Sequence, residues 1–253
     1  MYNPYIATEW LKSKRTNSRH LMLIGPIIFI AFCYFMTLLM GSTPEGKSFL
    51  MAVAFNWYPS IILPIFVSIF IVSIVNRDRP VHQVIYKVYA VDRAKVFQAK
   101  HFWVLVNVAC VIFIASILLY LVNFILIKDV ILVSEIIYSS LMLWIGILPL
   151  IATGFLLSRL LHPILVHLVL FVLNFIPAAI LANTSYWVYY PWCYVMRLMA
   201  ITAKVHPNGT FLPPSHPMLA SHNLYLGVVL NLIAYMGLIG LDWLVYKKRW
   251  STC

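Results

Sequence analysis

Few residues in this sequence have both the type and the spacing that a catalytic or metal-binding site requires. His162 and His167 are five apart, so on a helix they face different directions and lack the i, i+4 spacing of a helical zinc site. Other ionisable residues stand near the ends of apolar runs, where such side chains usually cap a helix or reach the membrane surface. These are His101, Glu135, His222 and Asp242. The chain has no HExxH, GxSxG or Walker A motif, so we expect neither an enzyme nor a metal site, and no nucleotide hydrolysis by this chain.

The apolar runs determine the class of protein. Of 253 residues, 63% are hydrophobic and 10% are charged, whereas soluble domains carry about 25% charged residues. A membrane-spanning helix needs about 20 apolar residues, and six runs satisfy this without the alternation of barrel strands. They are residues 21–40, 52–75, 102–127, 131–157, 160–181 and 224–246. The sequence therefore predicts an all-α integral membrane protein in which residues 1–253 form a single transmembrane domain.

The distribution of basic residues predicts the orientation. If both termini lie inside, fourteen Lys and Arg residues are on the inner side and four are outside. Those outside are Lys47, Lys128, Arg197 and Lys204. The positive-inside rule then places both termini, including a tail at 247–253, in the cytoplasm. This placement explains the net charge of +11 without a nucleic acid partner.

Residues 1–20 precede the first span and predict an interfacial helix. Asn3 can cap the helix with Pro4 at its first position, and Ile6 and Trp10 lie four apart on one face. Its basic residues are Lys12, Lys14, Arg15 and Arg19. Such a helix would lie on the inner leaflet with Trp10 at headgroup depth. An ordinary positive-inside anchor explains the same pattern.

The loop between the second and third spans, residues 76–101, contains six of the 18 basic residues. Pro80 can start a helix, and the series Val84, Ile85, Val88 and Val91 has helical spacing. Asp92 is suited to cap a second helix that continues into span 3. A solvated basic loop is the alternative, but the interleaved apolar residues favour a short surface helix that docks to a partner.

Residues 182–221 form the long outer segment. An aromatic half, 186–192, precedes a turn-rich half that contains Pro207-Asn208-Gly209. An outer-leaflet aromatic belt explains the first half. A re-entrant or surface helical hairpin is the sharper interpretation, because 194–203 has helix-like apolar spacing and a single charge.

Two short stretches carry a family resemblance. Residues 9–15, EWLKSKR, match an E-x-x-K-x-K/R start and are followed by Pro26, and residues 91–100, VDRAKVFQAK, match a (P)-x-S/D-R-x-K-x-x-x-x-K start of span 3. Together with the six-span layout, they resemble ABC-2-type transporter permeases. The aromatic cluster 187–192 and the Pro207-Asn208-Gly209 turn resemble permease subunits of lantibiotic immunity exporters.

The resemblance implies roles for the two cytoplasmic segments. Residues 4–19 would be an elbow helix, with Ile6, Trp10, Lys12, Lys14 and Arg15 as its interfacial residues. Residues 80–91 would be a coupling helix in the groove of a cytoplasmic ABC ATPase. Its coupling residues would be Pro80, Val84, Ile85, Val88, Tyr89, Arg93 and Lys95. The family often has a Glu soon after span 2, whereas the nearest acid here is Asp78, followed by Pro80.

The resemblance also implies an assembly and a substrate. Two ATPase copies, which hold the ATP and Mg, would pair with this chain and a second, different permease in a bacterial plasma membrane; this chain would bind no cofactor itself. The substrate would be a cationic lantibiotic expelled outward from the membrane. Candidate contacts are Glu45, Asp129, Glu135, Tyr186, Trp187, Tyr189, Tyr190 and Trp192, although acids at helix ends and an aromatic belt would look the same. Export of another lipid or drug, or a non-transporting scaffold or sensor role, are the alternatives.

Overall fold

The computed structural model describes residues 4–14, 16–78 and 80–252, and these contain six apolar helical spans, as predicted. Spans 1 to 6 are Ser18–Met40, Phe49–Val75, Arg93–Ile127, Val133–Leu160, Pro163–Leu181 and Ser221–Lys248. Most limits agree with the predicted ones within a few residues. Span 3 begins earlier than predicted because Asp92 caps its helix, accepting hydrogen bonds from the backbone N–H of Ala94 at 2.9 Å and of Lys95 at 3.3 Å. Span 5 begins later, because Leu161 is extended and Pro163 starts a new helix.

The helices are numbered in chain order. Helix α1 is Pro4–Ser13 and α2, in span 1, is Asn17–Met40. Span 2 consists of α3 (Phe49–Trp57), a π-helix (Tyr58–Ile62) and α4 (Leu63–Val75), and α5 (Pro80–Val88) follows it. Span 3 is α6 (Arg93–Val122) with a terminal π-helix (Asn123–Ile127), span 4 is α7 (Val133–Gly146) and α8 (Leu148–Leu160), and span 5 is α9 (Pro163–Asn174) and α10 (Ile176–Leu181). The last two are α11 (Tyr194–Thr202) and α12 (Ser221–Thr252), which forms span 6.

Spans 2, 4 and 5 are interrupted where the sequence places prolines. Proline removes a backbone donor and crowds the preceding turn, and at these places the helix breaks or bulges. Polar side chains from other spans satisfy the freed carbonyls: the Asn174 amide donates to the carbonyl of Pro59, and the Asn231 amide donates to the carbonyl of Gly146 at 2.9 Å. The breaks are therefore built into the packing between spans.

Helix α11 lies inside the bundle. Val195 and Leu198 are fully buried, and the helix packs on α7 and α12. A side chain at Gly146 would come within 2.8 Å of the Val195 backbone, so glycine allows this close approach. An antiparallel bridge between Val205 and Phe211 closes the following turn, in which Gly209 has a φ of +90°. In place of the predicted helical hairpin, residues 182–221 contain a single α-helix, α11, in an inserted rather than a surface position.

The two ends of the bundle differ in chemistry. We call the end that holds Lys12, Asp78 and Lys100 the basic end, and the end that holds Glu135 and Lys204 the opposite end. Helices α1 and α5 lie at the basic end, and the loops that flank α11 lie at the opposite end.

Candidate functional site

At the basic end, the Asp78 carboxylate lies between separate helices. Lys12 of α1 places Nζ 3.0 Å from Oδ1, and Lys100 of α6 places Nζ 2.6 Å from Oδ2. Tyr86 of α5 donates its hydroxyl to Oδ1 at 3.3 Å. Asp78 itself follows span 2, so one carboxylate connects the elbow segment, the loop helix and two spans.

We call Asp78, Lys12, Lys100 and Tyr86 the Asp78 network. Its two lysines also donate hydrogen bonds to further acceptors. Lys12 donates to Glu9 and to the Tyr86 hydroxyl, each at 2.8 Å, and Lys100 donates to the carbonyl of Ile74 at 3.1 Å. Glu9 is 3% exposed. It faces inward because Lys12 pairs with it there. The network is therefore a buried cluster of alternating charges rather than a solvated surface.

The charges in this cluster stabilise one another. Burial by itself would raise the pKa of Asp78, but Lys100 and Lys12 outweigh burial and hold that pKa below its ordinary value. Burial likewise opposes the charged form of Lys12, yet its contacts with Glu9, Tyr86 and Asp78 raise its pKa. Asp78 and Lys12 are thus both charged at neutral pH, and each depends on its partners.

Helix α1 is also fastened to span 3 through aromatic residues. Trp103 donates its indole N–H to the carbonyl of Ile6 at 2.6 Å, and its ring stacks on Trp10 with centroids 6.4 Å apart. Arg19 lies 5.7 Å from the Trp10 ring. Of the other predicted elbow residues, Lys14 is exposed, and Arg15, like Asn3, lies outside the described residues.

Helix α5 has an anchored side and an exposed apolar side. Tyr86 faces the Asp78 network, while the exposed fractions are 59% for Val84, 45% for Ile85, 74% for Val88 and 76% for Tyr89. Arg93 and Lys95, just after the helix, are exposed too, and Lys95 pairs with Asp92 at 3.5 Å. Pro80 begins the helix, as predicted.

This helix ends three residues before the predicted limit of 91. Ala90 has a φ of +48°, the backbone N–H of Val91 bonds to the carbonyl of Tyr86, and that of Ala90 bonds to the carbonyl of Lys87. These bonds form a Schellman motif. The left-handed residue turns the chain so that Asp92 can start the next helix, and Val91 therefore leaves the helical face on which it was expected.

At the opposite end the proposed substrate contacts do not form one cluster. Glu135 pairs with Lys204 at 2.9 Å and lines a cavity of about 400 Å³, and Asp129 accepts a hydrogen bond from Thr43. Among the aromatic candidates, Tyr186 and Tyr189 are exposed, as is the acid Glu45.

Trp187, another of the aromatic candidates, is 4% exposed and is therefore turned away from the surface. It packs under Arg197, 5.2 Å from the ring, because that guanidinium is also held by the carbonyl of Ala182. Tyr190 donates to the carbonyl of Leu173 and Trp192 to the Thr153 hydroxyl, so both are turned toward the bundle.

Sequence reasoning missed a second buried ionic group at the basic end. The Arg159 guanidinium binds both carboxylate oxygens of Asp242, and His101 lies 3.2 Å from the same carboxylate. His101 and Asp242 were expected to cap helices or reach the surface, and this was wrong, since they are 5% and 0% exposed. All three stand near the cytoplasmic ends predicted for spans 3, 4 and 6. Their similar position along the membrane normal was the signal from which their pairing could have been predicted.

The family comparison matches well over half of the chain. A family model described as ABC-2 family transporter protein matches residues 5–182, from α1 through span 5. The chain belongs to the ABC-2 transporter family. Curated proteins and solved structures give no match. The matched region of this ABC-2 permease includes the Asp78 network and α5, and family membership implies an ABC ATPase as partner.

Proposed function

We propose that this ABC-2 permease is the transmembrane subunit of an ATP-driven exporter that removes cationic antimicrobial peptides of the lantibiotic type from the membrane. Its basic end would face the cytoplasm of a bacterial cell. Two copies of an ABC ATPase would supply ATP hydrolysis, and a second permease subunit would complete the pathway.

The exposed apolar side of α5 carries the proposal. Valine and isoleucine side chains each gain about 1.5–3 kcal/mol on full burial, so a helix that exposes Val84, Ile85 and Val88 together is suited to the groove of a partner. Arg93 and Lys95 beside it would meet acidic groups of that partner. ATPase docking explains why the polar side of α5 is hydrogen-bonded to Asp78 through Tyr86 while its apolar side is exposed.

The Asp78 network supports a mechanical role for α5. A displacement of α5 moves Tyr86, and through Lys12, Asp78 and Lys100 the same displacement reaches α1 and the basic ends of spans 2 and 3. Buried charge pairs resist separation, because an unpaired charge in a low-dielectric site is costly. Closure of the ATPases would in this way tilt the spans that border the pathway.

The lantibiotic substrate is supported by the resemblance of the outer segment and by its exposed side chains. Tyr186 and Tyr189 can contact the apolar face of an amphipathic peptide, and Glu45 can attract its cationic groups. Trp187 is left out of this role because it is buried.

A matched pair of variants tests ATPase docking. Val88→Asp puts a charge on the exposed side of α5, and Val130→Asp puts the same charge at the opposite end, where Val130 is 79% exposed. Because both sites are exposed, each variant should fold with a change in stability of about 0.5 kcal/mol or less. We expect Val88→Asp to lose the ATPase during purification from native membranes, and Val130→Asp to keep it.

The substrate is tested separately in living cells. Cells that express the permease with its partners should resist a cationic lantibiotic, and Val88→Asp should abolish that resistance. Resistance to an uncharged drug with no gain against the lantibiotic would show that the transporter works on another substrate. Retention of both the ATPase and peptide resistance by Val88→Asp would refute the docking role of α5.

A further inference from the structure

The ionic group formed by His101, Arg159 and Asp242 joins spans 3, 4 and 6. Asp242 is fully buried and accepts the Arg159 guanidinium on both of its oxygens. The Arg159 guanidinium also lies over the Tyr246 ring at 4.5 Å, and His101 stacks on Phe155 with ring centroids 3.8 Å apart. These aromatic rings exclude water from the ion pair, so the charges must be satisfied within the protein.

The two nitrogens of the His101 ring both face oxygen acceptors. Nδ1 is 2.9 Å from the carbonyl oxygen of Phe97, and Nε2 is 3.2 Å from Oδ2 of Asp242. A carbonyl has no proton to give, and a carboxylate bound by arginine is ionised. A proton on each ring nitrogen would match both of these oxygens. A neutral imidazole has one proton and would direct a lone pair at an oxygen in a buried site.

We propose that His101 is a proton-binding site that ties span 6 to span 3. With both nitrogens protonated, the ring connects the α6 backbone to Asp242, and Arg159 completes the tie to span 4. When the proton leaves, the contact with Asp242 turns repulsive, and only apolar packing, such as that of Phe97 on Trp243 and Tyr246, still joins span 6 to span 3 at this point, while Arg159 continues to bind Asp242. Protonation thus selects between two packings of span 6, independently of which substrate the permease carries.

Among the residues that the structure describes, few other titratable or charged groups face His101. On span 6 the titratable groups that face His101 are Asp242 and Tyr246, and on span 4 the facing group is Arg159. From α5, Tyr86 packs against the cluster of Phe97 and Tyr246. The neighbouring Lys100 points instead to Asp78, so the proton site stands one residue from the α5 network along the same helix.

Solid-state NMR of the full-length chain in lipid vesicles tests the proton site directly. The wild-type chain would be labelled with ¹⁵N-histidine and ¹³C-aspartate, and its eight histidines separated by comparison with His101→Gln. At about pH 6 we expect both His101 nitrogens to give imidazolium signals and a dipolar contact to the Asp242 carboxylate. When the pH is raised until the ring becomes neutral, that contact should disappear together with the second proton.

Two results would overturn the proposal. One is a neutral His101 ring at about pH 6, and the other is a contact to Asp242 that persists unchanged after the ring becomes neutral. Peptide resistance measured against pH adds a functional test, in which His101→Gln should flatten the profile while the exposed His222→Gln should not. Because the NMR result needs neither ATPase nor substrate, its failure is distinguishable from a failure of the exporter proposal.

Discussion

Removal of the Asp78 charge is the most informative perturbation of this protein. In Asp78→Asn, Lys100 keeps the carbonyl of Ile74 as its acceptor, and Lys12 keeps Glu9 and the Tyr86 hydroxyl. The side chains of Asp78 and Lys100 are 10% and 6% exposed, so the pair is effectively buried. Loss of one member of such a pair costs about 3–5 kcal/mol. Because Lys12 retains a carboxylate, we expect a loss near the lower value, about 3 kcal/mol.

Asp92→Asn provides the matched control. Asp92 pairs with Lys95 at 3.5 Å, but these side chains are 43% and 56% exposed, and exposed pairs contribute about 0–1 kcal/mol. Asparagine also caps a helix as well as aspartate does, so the start of α6 is preserved. Denaturant unfolding of the purified full-length variants in the same detergent measures both losses. Equal losses for the two variants would refute the claim that Asp78 holds a buried network together.

The stability that the Asp78 carboxylate contributes should depend on pH in a definite direction. The pKa of Asp78 is lowered in the folded protein, so its contribution is fully present above the unfolded value, about 3.9, and is lost as the pH falls through the lower folded value. The stability difference between wild type and Asp78→Asn should therefore stay constant from about pH 5 to about pH 8 and shrink only below about pH 4. If the stability difference between wild type and Asp78→Asn already vanished between pH 5 and pH 7, the lowered pKa of Asp78 in the folded protein would be contradicted.

Two further matched pairs test packing and the attachment of α1. Gly146→Ala directs a methyl group into the α11 backbone and should destabilise the protein by about 1–3 kcal/mol. In the control variant Gly240→Ala the methyl group meets open space, so this variant should be neutral or stabilise the protein by up to about 1 kcal/mol. Equal unfolding midpoints for the two variants would disprove the close approach of α7 and α11 at Gly146. Trp103→Phe removes the indole donor to the α1 backbone and should speed amide hydrogen exchange in Pro4–Ser13, while Trp144→Phe, which loses a similar bond to the carbonyl of Leu105, should leave α1 unchanged. If both variants loosen α1 alike, the Trp103 bond is not what holds it.

Local features of the fold were readable from the sequence. The spans follow from runs of apolar residues long enough to cross a bilayer, and the caps and kinks follow from single residues, such as Asp92 and Pro59, whose backbone preferences act on their neighbours. The limit of α5 was missed, because Ala90 adopts a left-handed conformation that its residue type does not favour.

Parts of the candidate site were readable as well. The apolar series on α5 and the basic residues of α1 were identified from spacing and composition, and both segments are helical. Their docking to an ATPase stays a prediction. The role of Asp78 as the meeting point of Lys12 and Lys100 was not readable, since these residues are separated by long stretches of chain and are joined by the packing of α1 on α6.

The sequence by itself determined how deep each residue lies along its span, because a helix rises a fixed 1.5 Å per residue between membrane boundaries. It therefore placed His101, Arg159 and Asp242 near the same end. Which way each side chain points depends on how its helix is rotated against its neighbours, and residue order within one helix does not fix that rotation. Only the tertiary structure turned these three side chains toward each other, and Trp187 away from the surface, because burial and pairing of charges are properties of packed helices.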